Sequence, residues 1–134
     1  MPFVIDASIT MTWCFDDEAS DSTDAVLRRA AVEGVTAPPH WSVEVTNALL
    51  LGERRNCTTP DDTAQMLAKM DRLRVTSDDE LVRRSDLLEL ARTHRLTAYD
   101  AAYLELATRL NLPLATLDRR LREACDTTGV PLLP

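Results

Sequence analysis

The run Phe3-Val4-Ile5-Asp6-Ala7-Ser8 is a short apolar stretch closed by an acid. A continuous apolar run this short, followed at once by polar and helix-forming residues, reads as a strand buried on both faces of a parallel sheet. The pattern returns near the other end of the chain, where Leu114-Ala115-Thr116-Leu117 runs into Asp118. Between them, Val35-Thr36-Ala37 before Pro38-Pro39 and Arg74-Val75-Thr76 read as two further strands. A last one falls at Val130-Pro131-Leu132-Leu133, where the proline confines it to an edge.

Longer stretches with helical signals separate these strands. A helix is expected over 8–15, then a closely acidic loop with Asp16, Asp17, Glu18, Asp21 and Asp24, then a helix stopping at Gly34. Further helices are expected over 41–55, from Thr59-Pro60-Asp61-Asp62 to about Leu73, from a capping box at Ser77-Asp78-Asp79-Glu80 to about Thr93, from Thr97 to about Asn111, and over 118–125. Strands alternating with helices predict an α/β fold, with a short parallel sheet of four to five strands flanked by helices on both faces. No linker or repeat divides the 134 residues, so one domain is expected over 1–134.

Bulk composition is that of an ordinary globular chain: 45% apolar and 28% charged. No apolar run is long enough to cross a bilayer. Met1 to Asp6 lacks a basic leader region, so a secretory signal is not expected and a cytoplasmic location is. Cys14, Cys57 and Cys125 form no C-x-x-C pair, which favours reduced thiols over a disulfide framework. The net charge of −7 argues against nucleic acid on its own. Against that stands the basic set, arginine throughout except for Lys69, and arginine is the better fork for phosphate.

Four acids sit where an unpartnered carboxylate is costly: Asp6 and Asp118 at the ends of apolar runs, Glu44 between Val43 and Val45, and Asp100 before Ala101-Ala102-Tyr103-Leu104. In an open parallel sheet, ligands bind beyond the carboxyl ends of the strands. Convergence there would make a cage of hard oxygen ligands suited to Mg²⁺ or Mn²⁺ and to attack on a phosphodiester. Each acid also has a plainer role. Asp6 can cap the helix after it, Thr97-x-x-Asp100 can be a capping box, Asp118 can cap a helix and pair with Arg122, and Glu44 can pair with an arginine. Arg119 follows Asp118 and can face a substrate phosphate or pair with Glu123. His40, after two prolines, and His94, near a helix end, read as structural.

The segments Val4-Ile5-Asp6-Ala7-Ser8, Trp41 to Leu49, Leu96 to Leu104 and Leu114 to Asp118 resemble, in order and spacing, the four acidic motifs of PIN-domain nucleases. The likeness is to the VapC toxins of bacterial toxin–antitoxin pairs and covers essentially the whole chain. It implies a metal-dependent endoribonuclease in which Asp6, Glu44, Asp100 and Asp118 hold the ion. Glu44 would also orient or deprotonate the attacking water. It further implies that Ser8 and Thr116 are small hydroxyl residues hydrogen-bonded around the ligands, a role Asn47 can share. The expected partners are RNA, a cognate antitoxin and a second copy of the chain, with Ile9 to Phe15 offering apolar surface to the antitoxin. The competing reading is a catalytically silent interaction module. Other α/β phosphate chemistries fit less well. Position 8 is serine where a dehalogenase-like enzyme needs aspartate, and Gly34, Gly52 and Gly129 lie too far apart for a phosphate loop.

Overall fold

Phe3 and Ile5 point to one side of a sheet and Val4 to the other, and all three are fully buried. A computed structural model describes residues 1–15 and 19–133. Among these it has β1 (Phe3–Ile5), α1 (Ala7–Cys14), α2 (Asp21–Glu33), β2 (Val35–Ala37), α3 (His40–Arg54), α4 (Pro60–Asp71), β3 (Val75–Ser77), α5 (Arg84–His94), α6 (Ala98–Leu110), β4 (Leu114–Ala115), α7 (Arg119–Thr128) and β5 (Leu132–Leu133). The strands form one sheet in the order β3-β2-β1-β4-β5, and every neighbouring pair is parallel. This is the α/β fold read from the alternation of apolar runs and helices, with β5 on an edge.

Helices cover both faces, as a parallel sheet requires. On one side Phe3, Ile5, Val35 and Ala115 pack with Ile9 and Trp13 of α1 and Val26 and Ala30 of α2. On the other, Val4 and Leu114 pack with Tyr103, Leu104 and Leu106 of α6 and Leu121 and Cys125 of α7. A smaller cluster of Met11, Cys14, Val45, Leu49 and Met70 ties α1, α3 and α4 together. The run Ile9 to Cys14 is buried throughout, so most of it is core rather than free surface. Two indoles tie α1 to its neighbours: Trp13 Nε1 of α1 donates to the Thr23 carbonyl of α2 at 3.2 Å, and Trp41 Nε1 of α3 donates to Thr10 Oγ1 of α1 at 3.0 Å.

The helix ends follow local chemistry. Thr59 caps α4 by accepting from the Asp62 N–H at 3.2 Å, with Pro60 as the first helical residue. Gly34 closes α2 at φ +80, where a Cβ would be strained.

Two expectations need correction. Asp21 and Asp24 are not loop residues: they lie in the first turn of α2 behind the Ser20 cap, where the helix dipole favours acids. The rest of the expected acidic loop, 16–18, lies outside the described residues. And Ser77 caps no helix. It ends β3, residues 78–83 are not helical, and α5 starts only at Arg84, without a side-chain cap. The reason is a distant cation. Arg109 of α6 takes Asp78 at 2.6 Å and Glu80 at 2.8 Å, and holds its own Glu105 at 2.6 Å. The two acids that would have served a first helical turn are pinned to α6 instead.

Candidate metal centre

From β1 the chain moves outward through β2 to β3, then returns to place β4 on the opposite side of β1. The strand order therefore reverses between β1 and β4, the place where open α/β sheets bind ligands. Asp6 follows β1 and Asp118 follows β4, so both stand at that point.

Asp6 is the N-cap of α1 and is only 3% exposed. Its Oδ1 accepts from the Ile9 N–H at 3.1 Å and from Ser8 Oγ at 2.7 Å, and its Oδ2 accepts from the Thr116 hydroxyl. Ser8 Oγ in turn accepts from the Leu117 N–H at 2.9 Å, and Thr116 Oγ1 from the Asp118 N–H at 3.0 Å. The two hydroxyls thus stitch the ends of β1 and β4 into one unit. Asp118 caps α7, its Oδ1 accepting from the Leu121 N–H at 2.9 Å. The capping roles read from the sequence are therefore real for Asp6 and Asp118, and each cap leaves its carboxylate at the strand-end rim. Arg122 does not pair with Asp118; its guanidinium donates to the Thr116 carbonyl at 2.8 Å.

Asp100 sits in the first turn of α6, where its N–H donates to the Thr97 hydroxyl at 3.1 Å. Its carboxyl is pushed up to about 6, first by burial and then by the negative charges of Asp118, Asp6 and Glu44. Burial also raises Asp6, against the lowering hydrogen bonds from Ser8, Thr116 and Ile9. Glu44 behaves oppositely. Burial opposes its ionisation, but hydrogen bonds from His40 and Tyr103 together outweigh it and hold the carboxyl below its usual range.

His40 and Tyr103 are the site neighbours that the sequence reading missed. His40 is not a loop residue: it opens α3, one turn before Glu44. Its Nε2 lies 3.1 Å from Glu44 Oε1, and Tyr103 of α6 donates its hydroxyl to the same oxygen at 2.9 Å. The spacing His40-x-x-x-Glu44 was the available signal. Nothing local announces Tyr103. Arg119 lies beside Asp118 with its side chain exposed and paired to Glu123 at 3.2 Å. Asn47 is exposed on α3, and His94 is in the last turn of α5.

Among the described residues, no three His, Cys, Asp or Glu side chains stand together as a ready-made metal site. The donor set still fits a hard divalent cation: the four acids supply oxygen only, and their mutual repulsion at Asp100 is what a cation relieves.

Residues 3–126 match the family profile described as PIN domain. The chain is 32% identical to Ribonuclease VapC3 of Pyrobaculum aerophilum, across 98% of this chain and 100% of that protein. The chain belongs to the PIN domain family. This PIN domain is also 35% identical to Ribonuclease VapC1 of Mycobacterium tuberculosis, over 74% of each chain. Its fold matches the crystal structure of PAE2754 from Pyrobaculum aerophilum with a TM-score of 0.72 at 24% identity, covering 99% of this chain and 84% of that one. Among the described residues, no helix is long and apolar enough to cross a membrane.

Proposed function

We propose that this PIN domain is a metal-dependent endoribonuclease, the toxin of a toxin–antitoxin pair, acting as one catalytic domain over 1–134. The observation that carries the reading is the position of Asp6 and Asp118 at the β1/β4 switch point, stitched together through Ser8 and Thr116. The carboxyl of Asp100, pushed up to about 6 by burial and then by the charges of Asp118, Asp6 and Glu44, supports it. Supporting it are relatives that are ribonucleases by name, one of them over nearly the full chain.

In this reading Asp6, Glu44, Asp100 and Asp118 hold Mg²⁺ or Mn²⁺, which would lower the pKa of a bound water and neutralise charge developing on the phosphate. The protein's own work is orientation. Ser8 and Thr116 fix both oxygens of Asp6, so that its carboxylate is presented in one pose. Glu44, ionised at neutral pH, accepts a proton from the attacking water or aims it. Arg119 swings from its exposed pair with Glu123 to meet a substrate phosphate.

The partners follow from the same reading: RNA as substrate, a cognate antitoxin and a second copy of the chain, in the cytoplasm. A groove between α1 and α3, lined by Met11, Phe15, Ala48, Leu51 and Gly52 together with Arg55 and Cys57, supports docking of an amphipathic antitoxin segment.

The test is cleavage of total RNA by purified protein, with mapping of new 5′ ends. Cleavage in Mn²⁺, abolished by chelation and lost in Asp100→Asn, supports the reading. Metal-indifferent cleavage overturns the metal-dependent mechanism, and no cleavage in any divalent ion by protein freed of antitoxin overturns the nuclease reading in favour of a silent interaction module.

A further inference from the structure

Glu44 is tied to α6 at two points, and both ties converge on one of its oxygens. Tyr103 donates its hydroxyl to Glu44 Oε1 at 2.9 Å. His40 Nε2 stands 3.1 Å from the same Oε1 and 3.2 Å from the backbone carbonyl of Tyr99. A carboxylate oxygen and a carbonyl oxygen can only accept, so Nε2 carries the proton and is shared between them. The Tyr99 carbonyl belongs to the residue immediately before Asp100. A single imidazole therefore bridges α3, which carries Glu44, and the first turn of α6, which carries Asp100.

The ring is held in that pose. It packs edge-on against Tyr103, with centroids 5.0 Å apart, and tilted against Tyr99 at 5.6 Å. Tyr103 is itself fully buried. Both donors to Glu44, the Tyr103 hydroxyl and His40 Nε2, meet Oε1, so neither of them occupies Oε2.

We propose that His40 is a positioning residue which, with Tyr103, clamps Glu44 Oε1 and sets the spacing between Glu44 and Asp100, so that Glu44 presents Oε2 to a bound divalent cation. The proposal rests on the nuclease reading above. Neither residue touches substrate; both act through Glu44 and the start of α6. Groups that orient a ligand in this way typically change metal affinity about 10–100-fold when removed.

The test is Mn²⁺ binding, followed by electron paramagnetic resonance on purified full-length protein, alongside cleavage of a randomised single-stranded RNA library. The variants are His40→Ala, His40→Gln, Tyr103→Phe and Glu44→Gln, each checked for its fold by circular dichroism. His40→Ala is expected to weaken Mn²⁺ binding about 10-fold and to lower kcat with KM for RNA unchanged. His40→Gln, whose amide N–H reaches the same two acceptors, is expected to recover most of both losses. Tyr103→Phe keeps the buried ring and removes only the hydroxyl, so it is expected to weaken Mn²⁺ binding in the same direction.

If His40→Ala and Tyr103→Phe bind Mn²⁺ and cleave like wild type while Glu44→Gln does not, the clamp is overturned and the nuclease reading stands. If wild type itself neither binds Mn²⁺ nor cleaves, both fall. If His40→Gln is as poor as His40→Ala, the bridging N–H is not what matters and the proposal is overturned.

Discussion

The Thr116 hydroxyl donates to Asp6 Oδ2, joining residues 110 positions apart in the chain. Thr116 also accepts from the Asp118 N–H, so one fully buried hydroxyl sets the relation between two of the four acids. Thr116→Val keeps the shape and removes both bonds. It should destabilise the metal-free protein by about 1–3 kcal/mol, since the Asp118 N–H and a buried carboxylate oxygen each lose a partner. Urea unfolding checks this. A variant as stable as wild type would show that the hydroxyl is dispensable for packing.

Asp100 should make stability depend on pH in a defined direction. Its folded carboxyl titrates at about 6 against an ordinary value of 3.8. Between those values the folded state holds a proton that the unfolded state has released, so stability falls as pH rises across that window. Asp6 is shifted the same way. In Asp100→Asn that loss is absent. Without metal, the variant should melt near wild type at pH 4 and about 3–6 °C higher above pH 6. Thermal melts in chelator across pH 4 to 8 check both ends. A variant less stable than wild type at pH 7 would contradict the cost of ionising Asp100, set first by burial and then by the neighbouring acids.

A cation should reverse that order. Saturating Mg²⁺ or Mn²⁺, at about 100 times its Kd, should raise the wild-type Tm by roughly 5–10 °C. The rise should be smaller in Asp6→Asn and Asp100→Asn. Differential scanning calorimetry with and without the ion reads the effect directly, and identical shifts in all three proteins would count against these residues as ligands.

Arg109 is expected to matter for stability and not for chemistry. Its guanidinium is surrounded by Asp78, Glu80 and Glu105, which hold it firmly protonated. Removing it in Arg109→Ala leaves Asp78 and Glu105, each less than 20% exposed, without their cation. The cost should be about 2 kcal/mol, below that of a fully buried pair because water still reaches the cluster. Urea unfolding measures it, and cleavage per folded molecule should be unchanged.

That cluster also shows where sequence reasoning stopped. Ser77-Asp78-Asp79-Glu80 carries every local mark of a helix start, yet Arg109, 31 residues away from Asp78, claims two of its acids. Propensity within four residues cannot see that. Conversely β1, β2 and β4 were legible because short segments rich in apolar and β-branched residues, bounded by polar or proline positions, alternate with longer helical stretches. Asp6 and Asp118 were legible as a pair because each follows one of these segments and caps the next helix. Glu44 was marked by its place on an apolar helix face, and His40 one turn earlier could have been found with it. Tyr103 could not, because its hydroxyl meets Glu44 across 59 residues.

The account turns on one cation shared by Asp6 and Asp118, just past the ends of β1 and β4, with Glu44 of α3 and Asp100 of α6. The direct measurement is anomalous scattering from crystals soaked in Mn²⁺. It should give a peak at the β1/β4 strand ends, with carboxylate oxygens of Asp6, Glu44, Asp100 and Asp118 at roughly 2.0–2.3 Å or one water away. A Mn²⁺-soaked crystal with no peak there, or with its peak held by other residues, would contradict the account.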